Sequence, residues 1–142
     1  MTDPVMAEIA EAVALGHAGD TAAARRRFAE LWDGIDDPFH RCALAHHAAD
    51  VQTDPAEELR WDRRALDAAD AVRDRPAVAA FYPSLHLNLA DVHRRLGDVE
   101  EATHQLERAR ATVGTLPDDG YGRMIRGGIA RCAERMTNPG GS

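Results

Sequence analysis

The sequence contains no lysine: all 17 of its basic residues are arginine. That excludes any mechanism built on a Schiff-base or general-base lysine. Cysteine is nearly absent too, with only Cys42 and Cys132, far apart and in no metal-ligand spacing. A disulfide-rich secreted scaffold and a zinc ribbon do not fit. Aromatic residues make up 5% of the chain, thin for a β protein. No apolar run approaches the roughly 20 residues of a membrane span. The opening Met1-Thr2-Asp3-Pro4 lacks the basic-then-apolar pattern of a signal peptide. The expectation is a cytoplasmic protein with no membrane partner. Acidic residues outnumber basic ones by 24 to 17, for a formal net charge of -7. Such a chain repels polyanions at long range, which argues against nucleic acid as a partner. Abundant alanine without lysine is the mark of GC-rich coding and suggests a bacterial source.

What is present is helix-forming sequence. The 142 residues suit one domain or a short repeat array, able to bury roughly 68–70% of the unfolded surface without disulfide or metal. Alanine, leucine, arginine and glutamate dominate, and all favour helix. Breakers at Gly19-Asp20, Gly34 to Pro38, Asp54-Pro55, Arg75-Pro76, Gly97-Asp98 and Gly114 to Gly120 divide the chain. Between them, apolar residues recur at spacings of three and four. The pattern predicts helices over 4–18, 21–33, 38–51, 55–72, 77–96, 99–113 and 120–136. Asp20, Asp54 and Asp98 are expected as N-caps, and Gly19 and Gly97 as left-handed helix ends. Pro83 would kink a helix interior, so the fifth helix is expected to begin near residue 81, after an ordered lead-in over 76–80. The tail 138–142 is expected to be disordered.

The chain also repeats. Gly19-Asp20, Ala24, Phe28 and Leu31 recur at the same offsets as Gly97-Asp98, Ala102, Leu106 and Ala109, two units of about 39 residues on. The stretch Asn88-Leu89-Ala90, His93, Leu96-Gly97-Asp98, Ala102, Leu106, Ala109 resembles the tetratricopeptide repeat, with His93 where Tyr is usual. Ala12, Leu15, Gly19-Asp20, Ala24, Phe28, Leu31 and Pro38 carry a first copy. A degenerate middle copy has Leu44, Ala45 and Ala48, with Asp54-Pro55 in place of Gly-Asp. The resemblance implies an all-α, right-handed solenoid of three helical hairpins over about 4–37, 38–75 and 76–117, with a capping helix over 120–136, forming a single domain over 1–137. It further implies that first helices line a concave groove that takes a peptide or protein segment, with no cofactor.

Candidate site residues follow from that placement. His46 and Asp50 are four apart on one helical face, a spacing that suits a histidine–carboxylate pair or a two-ligand metal clip. His86, Ala90 and His93 share one face of the fifth helix, and Asn88, Asp91 and Arg95 another. In relatives that hold a terminal carboxylate, an Asn precedes the Leu-Gly pair, and Asn88-Leu89-Ala90 looks like that arrangement, with Arg94 and Arg95 as sources of charge. Tyr121 and Arg126 are candidates at the groove's C-terminal end. The ligand-binding set is thus His46, Asp50, His86, Asn88, Asp91, Tyr121 and Arg126, with no metal ligand assigned. The opposing reading of these residues is packing: histidines and an asparagine that hydrogen-bond their neighbours.

Other features divide the same way. Arg25-Arg26-Arg27 and Arg60, Arg63, Arg64 read as solvated faces, with only Trp61 nearby to stack on nucleic acid. Trp32 and Trp61 read as packing residues. Gly127 and Gly128 inside the last helix imply close helix packing or room for a ligand. Cys42 near His40 and His46 is formally a thiol–imidazole pair, though a cysteine in an alanine-rich helix usually serves as a small hydrophobe. No phosphate loop, nucleophile elbow or Cys-x-x-Cys is present, so catalysis is not the first expectation. The alternative is a small-molecule or metal site, with or without enzymatic activity, built by convergence of the groove histidines and carboxylates. Self-association as a homodimer is the third.

Overall fold

The computed structural model describes residues 3–138, and these are all-helical, with no strand among them. In order they form α1 (Pro4–His17), α2 (Thr21–Gly34), α3 (Pro38–Asp50), α4 (Pro55–Ala71), α5 (Arg75–Ala79), α6 (Tyr82–Arg95), α7 (Val99–Thr112), a 3-10 turn (Val113–Thr115) and α8 (Gly120–Thr137). The boundaries follow the breakers to within a residue or two. The region expected as one helix over 77–96 is divided, with Phe81 leading into α6 and Pro83 in its first turn. There the missing N–H of proline costs no helical hydrogen bond. The tail expectation for 139–142 lies outside the described residues, and Asn138 is the C-cap of α8.

The helix starts share one cause. Asp3, Asp20, Asp37, Asp54, Asp74, Asp98 and Asp119 each accept a hydrogen bond from a backbone N–H in the turn that follows. Each carboxylate satisfies a donor that the helix leaves orphaned, and places negative charge at the positive end of the dipole.

The described residues form two compact units, one ending at Val72 and the other beginning at Arg73. In the first, α1 packs on α2, α3 on α4, and α2 and α1 on α3. Ile9, Ala12, Ala24, Phe28, Cys42, Leu44 and Ala48 are buried there, the Phe28 side chain completely. Asp3 also accepts from His40 Nε2 at 2.7 Å, tying the start of α1 to the start of α3, and that bond holds the Asp3 carboxyl below its usual range. In the second unit, α6 packs on α7, and α8 lies against both. Its core joins Ala90, Leu106, Ala109, Leu116, Ile125, Ile129 and Cys132.

One local structure occurs in both units. Gly19 has φ 93° and Gly97 φ 83°, a left-handed conformation that suits glycine. The N–H groups of Gly19 and Asp20 bond to the carbonyls of Gly16 and Leu15, and those of Gly97 and Asp98 to the carbonyls of Arg94 and His93. This is the reverse-turn pattern that closes a helix on a glycine. Asp20 and Asp98 then cap α2 and α7 with bonds of 3.2 Å to the N–H of Ala23 and Glu101. Ala12, Ala24 and Phe28 are fully buried in the first copy, as are Ala90 and Ala102 in the second, with Leu106 nearly so. The repeat seen in the sequence is therefore a repeat of turn geometry and of burial.

Cys42 is completely buried in α3, and burial, helped by Asp70, pushes its thiol up to about 11. A thiol held protonated is a poor nucleophile, which argues against the thiol–imidazole pair. Burial also raises the Cys132 thiol. Native protein is accordingly expected to leave a disulfide reagent unreacted at pH 8, and to release two equivalents of thiol once denatured. Rapid labelling of Cys42 in the folded state would contradict this assignment.

Candidate functional site

The predicted site residues fall into a polar face on α3 and a set on α6 to α8. On α3, His46 and His47 are half-buried and Asp50 is exposed. The two imidazoles stand 5.7 Å apart between ring centres. Burial lowers the affinity of both histidines for a proton, with Asp50 working in the opposite direction. Although the Asp50 residue is exposed by surface area, the packing around its carboxyl desolvates it enough to raise it, against the pull of His46, His47 and His17 and with the help of Glu58. His46 and Asp50, paired by spacing in the sequence, thus interact electrostatically, and His47 joins them.

That cluster has a pH consequence with a definite sign. His46 and His47 bind protons less readily folded than unfolded, so their contribution is complete above about pH 6.5 and is lost as pH falls through their folded values. Asp50, with a raised value, behaves oppositely: its contribution is complete below the unfolded value and lost as pH rises. The melting temperature is expected to fall between pH 7 and pH 5, and a His46→Gln/His47→Gln double variant to flatten that slope. An unchanged slope in the double variant would show that other groups carry it.

On α6 the two faces separate as the spacing predicted. His86 and His93 are buried, while Asn88 and Asp91 are half-buried. His86 Nδ1 lies 2.8 Å from Gln105 Oε1 on α7. The Gln105 amide donates onward to Glu101 Oε1 at 3.0 Å, which makes Oε1 the acceptor and His86 Nδ1–H the donor. Tyr82 stacks on His86 with ring centres 5.9 Å apart, and Arg75 donates to the Tyr82 hydroxyl at 2.7 Å. A polar chain therefore runs from Arg75 through Tyr82, His86 and Gln105 to Glu101. Its buried middle leaves His86 a positioning role inside the unit. His93 Nδ1 is 3.7 Å from Asp98, and its Nε2 is buried without a hydrogen-bond partner among the described residues.

Asp91 is held by its own helix. It accepts from Arg94 at 2.9 and 3.2 Å and from Arg95 at 3.0 Å. The two arginines expected to supply charge for a carboxylate are thus engaged with Asp91. Arg126 is likewise committed to the fold: it donates to the carbonyls of Val113 and Leu116 at 3.2 and 3.0 Å, closing the connection between α7 and α8. Tyr121 is exposed at 44%. Gly128 is a close-packing position, since a Cβ there would lie 2.7 Å from Leu87 Cδ2 on α6. Gly127 meets only the Arg131 side chain of its own helix. Among the described residues, no three His, Cys, Asp or Glu side chains converge closely enough to hold a metal ion. That convergence was the feature that would have favoured the metal-dependent alternative.

The chain matches no protein-family model, no curated protein and no solved structure.

One constellation went unrecognised in the sequence. Trp32 on α2 and Trp61 on α4 meet edge to face, ring centres 5.5 Å apart. The Arg41 guanidinium lies over Trp32 at 4.3 Å, and that of Arg64 lies 5.0 Å from Trp32 and 4.5 Å from Trp61. Beside them is a cavity of about 370 Å³, lined also by Asp36, Pro38, Asp67 and Ala68. The i,i+3 pairing of Trp61 with Arg64 is legible in the sequence, but the approach of Trp32 and Arg41 depends on how α2, α3 and α4 pack. Arg64 is thus stacked on two indoles, where its run was expected to be a solvated face.

Among the described residues no helix is long and apolar enough to cross a membrane.

Proposed function

We propose that this chain is a protein-interaction module of the tetratricopeptide kind: a right-handed solenoid of three helical hairpins and a capping helix that binds a peptide or protein segment. The observation that carries this reading is the recurrence of one turn at Gly19-Asp20 and Gly97-Asp98, with matching backbone hydrogen bonds and the same small residues, Ala24 and Ala102, buried behind each. A hairpin built this way has an apolar face it cannot bury alone, and stacking is the general solution. Modules of this architecture work through side chains presented by their first helices, so binding is assigned here before catalysis.

Recognition is assigned to the polar face of α3 in the first unit, through His46 and Asp50, and in the second unit to Asn88 and Asp91 on α6, with Tyr121. His86 and Arg126 act as positioning residues, given their bonds to Gln105 and to the carbonyls of Val113 and Leu116. Imidazole and amide side chains on a half-buried helix face are the groups that recognise a peptide backbone by directional hydrogen bonds.

The test is capture of a partner by the tagged chain, followed by its measured affinity for wild type, His46→Ala and Asn88→Ala. Loss of about tenfold or more in either variant, with melting temperature unchanged, is the expected result. A partner whose affinity ignores both substitutions would overturn the site assignment. A concentration-dependent dimer mass with no other partner would replace it with self-association.

A further inference from the structure

The cavity beside Trp32 lies outside the face just assigned. Arg41 precedes His46 by five residues on α3, which turns the two side chains about 140° apart around the helix. Four features of the cavity point to a ligand.

First, two guanidiniums converge on one indole, Arg41 at 4.3 Å and Arg64 at 5.0 Å from the Trp32 ring centre. Second, neither forms an ion pair with a carboxylate among the described residues. Arg41 is anchored through Nε to the Ile35 carbonyl at 2.6 Å, which leaves its terminal N–H groups uncommitted to that bond. Arg64 is held by ring contacts alone. Third, desolvation and the neighbouring Arg60 depress the Arg64 proton affinity, with Arg41 adding to them and Glu57 and Asp33 only partly offsetting the effect. Like charges gathered with planar forks free are what a carboxylate relieves, by accepting two parallel N–H bonds. Fourth, Trp32, Pro38 and Ala68 give the cavity an apolar wall. A volume of about 370 Å³ is at the small end of ligand sites.

We infer that this cavity binds a small monoanionic carboxylate, its carboxylate held by Arg41 and Arg64 and its apolar body laid against Trp32, Pro38 and Ala68. Asp36 and Asp67 on the same wall decide between oxyanions. They repel any anion, but a dianion about twice as strongly as a monoanion, so the two guanidiniums are better matched to a carboxylate than to a phosphate dianion. The site does not depend on the peptide-binding reading.

The two tryptophans of the chain both sit at this site, so intrinsic fluorescence reports its occupancy directly. The experiment titrates the full chain with N-acetyl-leucine, with N-acetyl-leucinamide as the uncharged counterpart, and with inorganic phosphate. The expected result is a saturable change with the carboxylate, weakened by added salt, and none with the amide or phosphate. Arg64→Gln, which gives up ring contacts but no hydrogen bond, is expected to weaken binding about tenfold or more with the melting temperature little changed. Arg64→Lys is expected to fall between, since a point charge replaces the fork. Arg41→Gln serves as a second variant, checked for folding because Arg41 also holds the α2–α3 connection. An equal response to the amide, an affinity unchanged in Arg64→Gln, a response to phosphate in place of the carboxylate, or no saturable response would each overturn the inference.

Discussion

Replacement of Phe28 by alanine is expected to remove about 3–5 kcal/mol of stability. Phe28 is the largest completely buried side chain among the described residues. It sits one turn after Ala24 on α2 and one turn before Leu31, on the stripe that α2 buries. The cost has two parts. Transfer of the ring out of water is lost, and a cavity opens among alanine-rich helices whose backbones cannot readily close on it. Domains are stable by only about 5–15 kcal/mol in total, so the change consumes a large share. Urea unfolding should show a lower midpoint with an unchanged slope, the sign of altered stability and not of an altered unfolded state. Phe28→Leu, which keeps most of the volume and matches Leu106 in the second copy, is expected to cost less than about 1.5 kcal/mol. A loss below about 1 kcal/mol in Phe28→Ala would show that α2 can collapse onto its neighbours.

Gly122→Ala is expected to destabilise by about 2–4 kcal/mol, although it replaces glycine in a helix by the best helix former. Gly122 is buried in the first turn of α8, where its N–H donates to Asp119 Oδ1 at 2.8 Å. A Cβ there would lie well inside contact distance of the Pro117 carbonyl oxygen and 2.8 Å from Arg126 Nη1. The carbonyl is backbone and cannot swing aside. The guanidinium can move only by loosening its bonds to the carbonyls of Val113 and Leu116. Overpacking of about 1–3 kcal/mol therefore adds to weakened charge-assisted hydrogen bonds. Gly127→Ala is the control. Its nearest neighbour is the flexible end of Arg131 at 3.1 Å, so the helix-propensity gain of up to about 1 kcal/mol should survive. Thermal melts of the two variants, run side by side, are expected to shift in opposite directions. A Gly122→Ala protein as stable as wild type would mean that the α7–α8 connection is not built around that close approach.

The comparison of Gly122 with Gly127 also marks where sequence reasoning stops. Two adjacent glycines at 127 and 128 drew attention as packing positions, and Gly128 is one, because Leu87 of α6 lies where its Cβ would be. The more demanding glycine is Gly122, which no spacing in the sequence marks out. Its constraint comes from Pro117, a residue outside the helix whose carbonyl direction follows from the path of the connection. The candidate site divides likewise. The opposition of His86 and His93 to Asn88 and Asp91 was legible, since helical period alone separates those faces. The engagement of Arg94 and Arg95 with Asp91 follows from the i+3 and i+4 rule, yet the spacing alone equally allowed both arginines to reach for a ligand.

What the sequence by itself determined is local. Most helix extents, the caps at Asp20, Asp54 and Asp98, the two left-handed glycines and the position of Pro83 in a first turn all depend on groups within about four residues of one another; Asp3, Asp37, Asp74 and Asp119 cap by the same local rule but were not singled out. The repeat belongs here as well, because the same local signals recur at the same offsets. Only tertiary structure decided which distant groups meet: His86 with Gln105 across α6 and α7, Arg126 with the carbonyls of Val113 and Leu116, and Arg41 and Arg64 with Trp32. The physical reason is that packing, unlike a helical turn, is set by side-chain volumes summed over several helices. A one-dimensional period shows which face of a helix is apolar, but the partner that face meets is chosen by the whole unit.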